Sequence, residues 1–153
     1  MISLFSLVGE RIVLVKQPFT KQQLLKQLVQ QIGQAVSGLD PTFILEQIVQ
    51  REQAMSTTLD TGINIPHVRV EGLDRIMAAL AVLPRPLLDT NGKQIKAMFL
   101  FLSPARPEFF QQHLQVLATL AETFTADFLM QLTAATHEQQ IAHLLAQNEI
   151  LEK

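Results

Sequence analysis

Two apolar, strand-like runs, Ile76–Leu83 and Ile95–Leu102, constrain this chain more than any other feature of its sequence. Neither alternates cleanly between apolar and polar residues, so each reads as a strand covered on both faces. Between them lies Leu88-Asp-Thr-Asn-Gly-Lys93, in which Asn91-Gly92 is a strong hairpin-turn signal. The hairpin implies at least one antiparallel pair, and covering both its faces needs helices above and below.

The helices are readable from their ends. Thr20 opens one, with Gln23 three residues on in a capping-box pattern, and Leu24, Leu25, Leu28 and Ile32 follow at helical spacing. Asp40-Pro41 opens a second, a cap residue followed by proline at the first helical position. From Pro107 onward the reading is helical throughout: Pro107–Glu122, Ala126–Ala134 and Thr136–Gln147, the last with Thr136 and Gln139 as a capping box. Arg11–Val15 and Ile63–Ile65 read as shorter strands. The order β-α-α-β-β-β-α-α-α predicts an α/β fold: a mixed central sheet of about four to five strands covered by helices on both faces, one domain over residues 1–153.

With 48% hydrophobic and 17% charged residues, 153 residues suffice for one packed core. The net charge of −2, with no two basic residues adjacent, argues against a nucleic-acid partner and against a polybasic membrane surface. No run approaches the roughly 20 apolar residues of a membrane helix. The leading residues are apolar but lack the basic start of a secretory signal, so the expectation is a cytoplasmic protein without direct membrane insertion. The absence of cysteine excludes thiol catalysis and thiolate metal sites.

No GxxxxGK[ST] loop, GxGxxG fingerprint, GxSxG elbow or HExxH pair occurs. The chemistry therefore rests on four histidines and their neighbours. His67 follows Ile63-Asn-Ile-Pro66; proline takes the chain out of the ladder, so His67 stands displayed at a sheet edge or, more blandly, is a solvated loop residue. His113 shares a helical face with Phe110, Leu114, Leu117, Leu120 and Ala121. It is expected in the helix's second turn, as a core histidine or as a partner for an anion near the helix's positive end. His137 and His143, six residues apart, fall on different faces and read as surface residues; no metal site is expected. Arg51 closes the second helix, where the helix dipole alone would favour it, and could also present a guanidinium fork to a phosphate. Thr57 and Thr58 would give hydroxyls to the same anion or satisfy a turn.

Arg51-Glu52, then Ser56-Thr57, then Gly62-Ile-Asn-Ile-Pro-His67, followed by His113-Leu-Gln-Val-Leu117-Ala-Thr-Leu120-Ala121, resemble the enzyme IIA domain of the fructose/mannitol type in the bacterial phosphotransferase system, which includes the nitrogen-regulatory IIA proteins. The resemblance covers about residues 10–147. It implies a phosphotransferase component that carries a phosphoryl group on His67, with Arg51 and His113 flanking it as the other catalytic residues. Thr57 and Thr58 would join them in holding the phosphate. It further implies no cofactor, an HPr-like phosphocarrier as donor, and either a IIB domain of a sugar permease or a regulatory target as recipient. The alternative is a non-catalytic module of the same fold that acts by protein contacts. An imidazole, with an ordinary pKa of about 6.5, is a competent nucleophile near pH 7, and phosphoryl transfer asks mainly for positioning and charge stabilisation. Three positions depart from the family pattern: Asn64 replaces an alanine, while Val68 and Thr58 replace glycines. The two β-branched residues are expected to restrict the backbone beside the site.

Overall fold

The computed structural model describes residues 2–151. Its strands are β1 (Ile12–Leu14), β2 (Ile63–Asn64), β3 (His67–Val70), β4 (Met77–Leu88) and β5 (Gln94–Pro104). Its helices are α1 (Leu4–Val8), α2 (Lys21–Ala35), α3 (Pro41–Ala54), α4 (Phe110–Thr123), α5 (Ala126–Thr133) and α6 (Glu138–Leu151).

β4 and β5 are the antiparallel centre of a mixed five-stranded sheet. β1 adds parallel to β4, while β2 and β3 both add parallel to β5 on its far side. Ala78, Leu80 and Val82 of β4 point to one face, into a core shared with Val8, Val116, Leu120, Phe124 and Leu129. Met77, Ala79, Ala81 and Leu83 point to the other, against Leu24, Leu28, Ile32, Ile44 and Ile48 of α2 and α3. Both faces being covered explains why neither central strand alternates. Each fully buried large side chain, Phe99 or Leu100 for example, contributes about 1.5–3 kcal/mol by leaving water.

The capping box of Thr20 and Gln23 is formed, and Asp40 caps α3 by accepting from the Phe43 N–H. The Asn91-Gly92 turn closes the hairpin, with Gly92 at a φ of 81°. The ladder between its strands shifts register between Val82 and Leu87. Two prolines, Pro84 and Pro86, lie in that gap, and neither has an N–H for the ladder.

Five features differ from the sequence-based reading. The leading apolar segment forms a short helix, α1, capped by the Ser3 hydroxyl. His67 is not the residue after a strand but the first residue of another, because β5 extends far enough to pair with it at Phe101. Pro107–Phe109 is a 3₁₀ turn, so α4 starts at Phe110 and His113 sits in its first turn. The buried face of α4 is His113, Val116, Leu120 and Thr123, whereas Phe110, Leu114 and Ala121 are exposed. The apolar stripe is wider than the contact it makes with the sheet, and its extra width lies beside the site described next. At the last helix, Gln140 rather than Gln139 accepts from the Thr136 N–H.

Candidate functional site

Pro66 lies between the two edge strands and its carbonyl accepts from the Phe101 N–H, so β2 and β3 continue along β5 with a break between them. The break delivers His67 half-buried at the sheet edge, its ring stacked on Phe101 with centroids 5.1 Å apart and planes 8° from parallel. Its Nδ1 is 2.7 Å from the Ile65 carbonyl oxygen. A carbonyl only accepts, so Nδ1 carries the proton and, in the neutral ring, Nε2 keeps the lone pair.

His113 comes from the opposite side, off the first turn of α4, and its ring lies edge-on to His67 with centroids 5.2 Å apart. It is buried, and its Nδ1 lies 2.5 Å from the Ser103 hydroxyl on β5. Burial, then the positive charges of His67, Arg69 and Arg51, push its pKa down to about 4, so at neutral pH this ring is uncharged. Arg51, in the last turn of α3, and His67 line one cleft of about 630 Å³, together with Thr57, Ile65, Leu117 and Met55. His137 and His143 are exposed and line a separate groove between α5 and α6.

Thr57 and Thr58 differ. Thr57 lines the cleft, while its hydroxyl donates to Glu52 Oε2 at 2.7 Å and accepts from the Ile65 N–H at 3.1 Å. Thr58 is buried with its hydroxyl on Asp89, away from the cleft lining. Asn64 lies against both: its Nδ2 donates to Glu52 Oε1 at 2.9 Å and to Thr58 Oγ1 at 3.0 Å. Val68 points away from His67 into the core beneath α2 and α3. Of the three departures from the family pattern, one is therefore packing and two touch each other.

What the sequence did not single out is the charge beneath this loop. Lys21 Nζ, at the start of α2, lies 2.9 Å from Glu52 Oε1 and 3.0 Å from Asp89 Oδ1. Both carboxylates are buried. Burial would raise the Asp89 pKa, but donation from Ser56, Thr58, Lys21 and the Thr90 N–H outweighs it and holds the carboxyl below its usual range. Arg69 is a further cation beside the histidines, its guanidinium 5.6 Å from the Phe110 ring centroid. Glu52 stood in the Arg51-Glu52 doublet and Asp89 beside the hairpin turn, yet no spacing rule joins residues so far apart in sequence.

A cleft lined by an arginine and by an imidazole with a free ring nitrogen, with the neutral ring of His113 edge-on to that imidazole, can receive and neutralise a small anion without a metal. Residues 6–148 match the family model for the phosphoenolpyruvate-dependent sugar phosphotransferase system, EIIA 2. A nitrogen regulatory protein of Bradyrhizobium diazoefficiens is 28% identical over 130 residues, 83% of each chain. Another from Pseudomonas aeruginosa is 29% identical over 104 residues, covering 67% of this chain and 66% of that one. The fold is shared with the crystal structure of the nitrogen regulatory protein IIA-Ntr from Neisseria meningitidis, with a TM-score of 0.80, 24% identity, and 93% and 98% of the two chains covered. It is shared also with enzyme IIA mannitol of Escherichia coli, solved in complex with phosphorylated enzyme IIB mannitol, with a TM-score of 0.70, 16% identity, and 91% and 96% covered. No helix among the described residues is long and apolar enough to cross a membrane. The chain belongs to the EIIA type-2 family of the phosphotransferase system, the family that its Arg51-Glu52, Ser56-Thr57 and Pro66-His67 steps resemble.

Proposed function

We propose that His67 accepts a phosphoryl group from an HPr-like phosphocarrier, and that the chain uses its two charge states to regulate a partner protein. The observation that carries this reading is the 2.7 Å contact between His67 Nδ1 and the Ile65 carbonyl, an acceptor that puts the ring proton on Nδ1 and leaves Nε2 as the nucleophile in the ring that lines a cleft with Arg51. The Nε2 lone pair attacks phosphorus, the Nε2–P bond forms as the donor's P–N bond breaks, and the donor imidazole leaves with that electron pair. His67 keeps its Nδ1 proton on the Ile65 carbonyl, so the positive charge its ring acquires is shared with an acceptor already in place. Arg51 offsets the arriving negative charge. With the Ser103 hydroxyl donating to Nδ1, His113 Nε2 carries a proton for a phosphoryl oxygen. Thr57 lines the cleft beside this group, while Thr58 supports the loop from below.

The regulatory half of the reading rests on relatives that are themselves nitrogen regulatory proteins. Two further readings have support. Relay to a IIB domain is favoured by the likeness to enzyme IIA mannitol. Action by contact alone, without transfer, is favoured by the same regulatory relatives and by exposed Met55, Phe110 and Leu114.

The test is intact-mass analysis after incubation with phosphoenolpyruvate, enzyme I and HPr or its nitrogen-branch counterpart. One acid-labile phosphate on the wild type and none on His67→Ala is expected. An unmodified wild type would leave the contact reading standing; a labelled His67→Ala would move the acceptor elsewhere.

A further inference from the structure

A continuous line of hydrogen bonds runs from the buried carboxylates to the ring of His67. Lys21 and Asn64 both donate to Glu52 Oε1, which leaves Glu52 Oε2 for the Thr57 hydroxyl. Having given its proton to Glu52, Thr57 Oγ1 presents only lone pairs, and one of them takes the Ile65 N–H at 3.1 Å. The carbonyl of that same residue takes the His67 Nδ1 proton at 2.7 Å.

Each link has one direction. A carboxylate cannot donate, so the Thr57 hydroxyl must point at it; the hydroxyl so oriented must accept from Ile65; and Ile65, held by its N–H, is fixed in where its carbonyl faces. We propose that Glu52 and Thr57 are positioning residues that set the tautomer of His67, and thereby choose Nε2 over Nδ1 as the atom that bonds phosphorus. This rests on the reading of His67 as the phosphoryl acceptor. Glu52 touches neither the ring nor the phosphate in this scheme; it acts through a hydroxyl and a peptide, as the outer partner of a metal-bound histidine fixes that ring's proton.

Asn64 and Thr58 make the device stiffer. Asn64 links the Glu52 side to Thr58, and Thr58 donates to Asp89, so both carboxylates are tied to Lys21 and to each other through side chains of the loop that carries the site. Rotation of Glu52 would break its contacts with Lys21, Asn64 and Thr57 together.

The experiment reads the ring itself. Long-range ¹H–¹⁵N spectra of unphosphorylated wild type, Thr57→Val, Thr57→Ser and Glu52→Gln give the protonation of each His67 nitrogen, assigned by its loss in His67→Ala. The expected wild-type pattern is a proton on Nδ1 and a bare Nε2. Thr57→Val and Glu52→Gln should mix the two tautomers, and Thr57→Ser, which keeps the hydroxyl, should restore the wild-type pattern. In the transfer assay kcat should fall about 10–100-fold in the first two, by the scale known for outer partners of histidine ligands, with KM for the phosphocarrier unchanged. Backbone amide spectra identify any variant that unfolds, and Thr57→Ser against Thr57→Val is then the deciding pair. A wild-type ring protonated on Nε2 would overturn the proposal, as would a Thr57→Val variant, folded, with the wild-type nitrogen pattern. A rise in KM at constant kcat would overturn it too, by assigning Glu52 and Thr57 to docking. Failure of the wild type to accept phosphate would defeat the acceptor reading instead, and the nitrogen spectra would still judge the tautomer.

Discussion

His113 is 7% exposed and sits among positive groups, so folding keeps it neutral where the unfolded chain would bind a proton. Its pKa falls from about 6.5 unfolded to about 4 folded. Between those values only the unfolded state takes up the proton, so the contribution is fully present above pH 6.5 and is lost as pH falls toward 4. The whole shift corresponds to at most about 3 kcal/mol. Urea unfolding at half-unit steps from pH 7 to 4 should show wild-type stability falling with a slope that His113→Gln lacks; parallel curves would reject this account. The residues legible in the sequence were those whose type announces chemistry, His67, His113 and Arg51, and whose neighbours mark an element's end. Ser103, Phe101 and Lys21 were not legible. A serine within an apolar strand, an apolar ring and a lysine in a first helical turn gain their parts only when the sheet brings them beside the site.

Among the elements, the loop between α3 and β2 depends most on one backbone conformation. Gly62 has a φ of 109°, and its carbonyl accepts from the Lys96 N–H at 2.7 Å. A Cβ there would stand 2.9 Å from Lys96 Cδ and would hold an L-residue in the left-handed region. Gly62→Ala is expected to cost at least about 1–2 kcal/mol in denaturant unfolding. The flexible end of the Lys96 side chain can move aside, so Gly62→Ala combined with Lys96→Ala should recover only the smaller, steric part of that loss. The helices and hairpin could be read in advance because caps, prolines and Asn-Gly act within a few residues. α1 and β3 could not: five residues of helix and four of strand have little preference of their own, and each exists by what it packs or pairs with. The phase of α4 was misread for a related reason, since an apolar side chain does not say whether it faces a core or a cleft.

At the scale of the whole molecule, Lys21 joins three parts distant in sequence: the start of α2, the end of α3 at Glu52, and the hairpin at Asp89. One ammonium stands between two buried carboxylates, and removing it leaves both without their cation. Lys21→Met is therefore expected to cost about 3–5 kcal/mol in chemical denaturation at pH 7. The loss should shrink below pH 4, where Asp89 of the unfolded chain gains a proton and the wild type forgoes the ionic contribution of that carboxylate. A loss under about 1 kcal/mol would mean the hydroxyls of Ser56, Thr57 and Thr58 suffice without it.

The break at Pro66 has a consequence apart from displaying His67. A parallel edge is an invitation to a further strand, whether from a second molecule or from a misfolded neighbour. Here β2 has its outer side taken by Thr58 and Leu59, which bridge back to Asn64 and Ile63. What remains is β3, four residues long, begun by a residue after proline and carrying Arg69 in its middle, where a partner strand would have to bury a charge. The kink that leaves the His67 imidazole half-buried at the edge thus also keeps this edge of the sheet, the one away from β1, from serving as a template for aggregation.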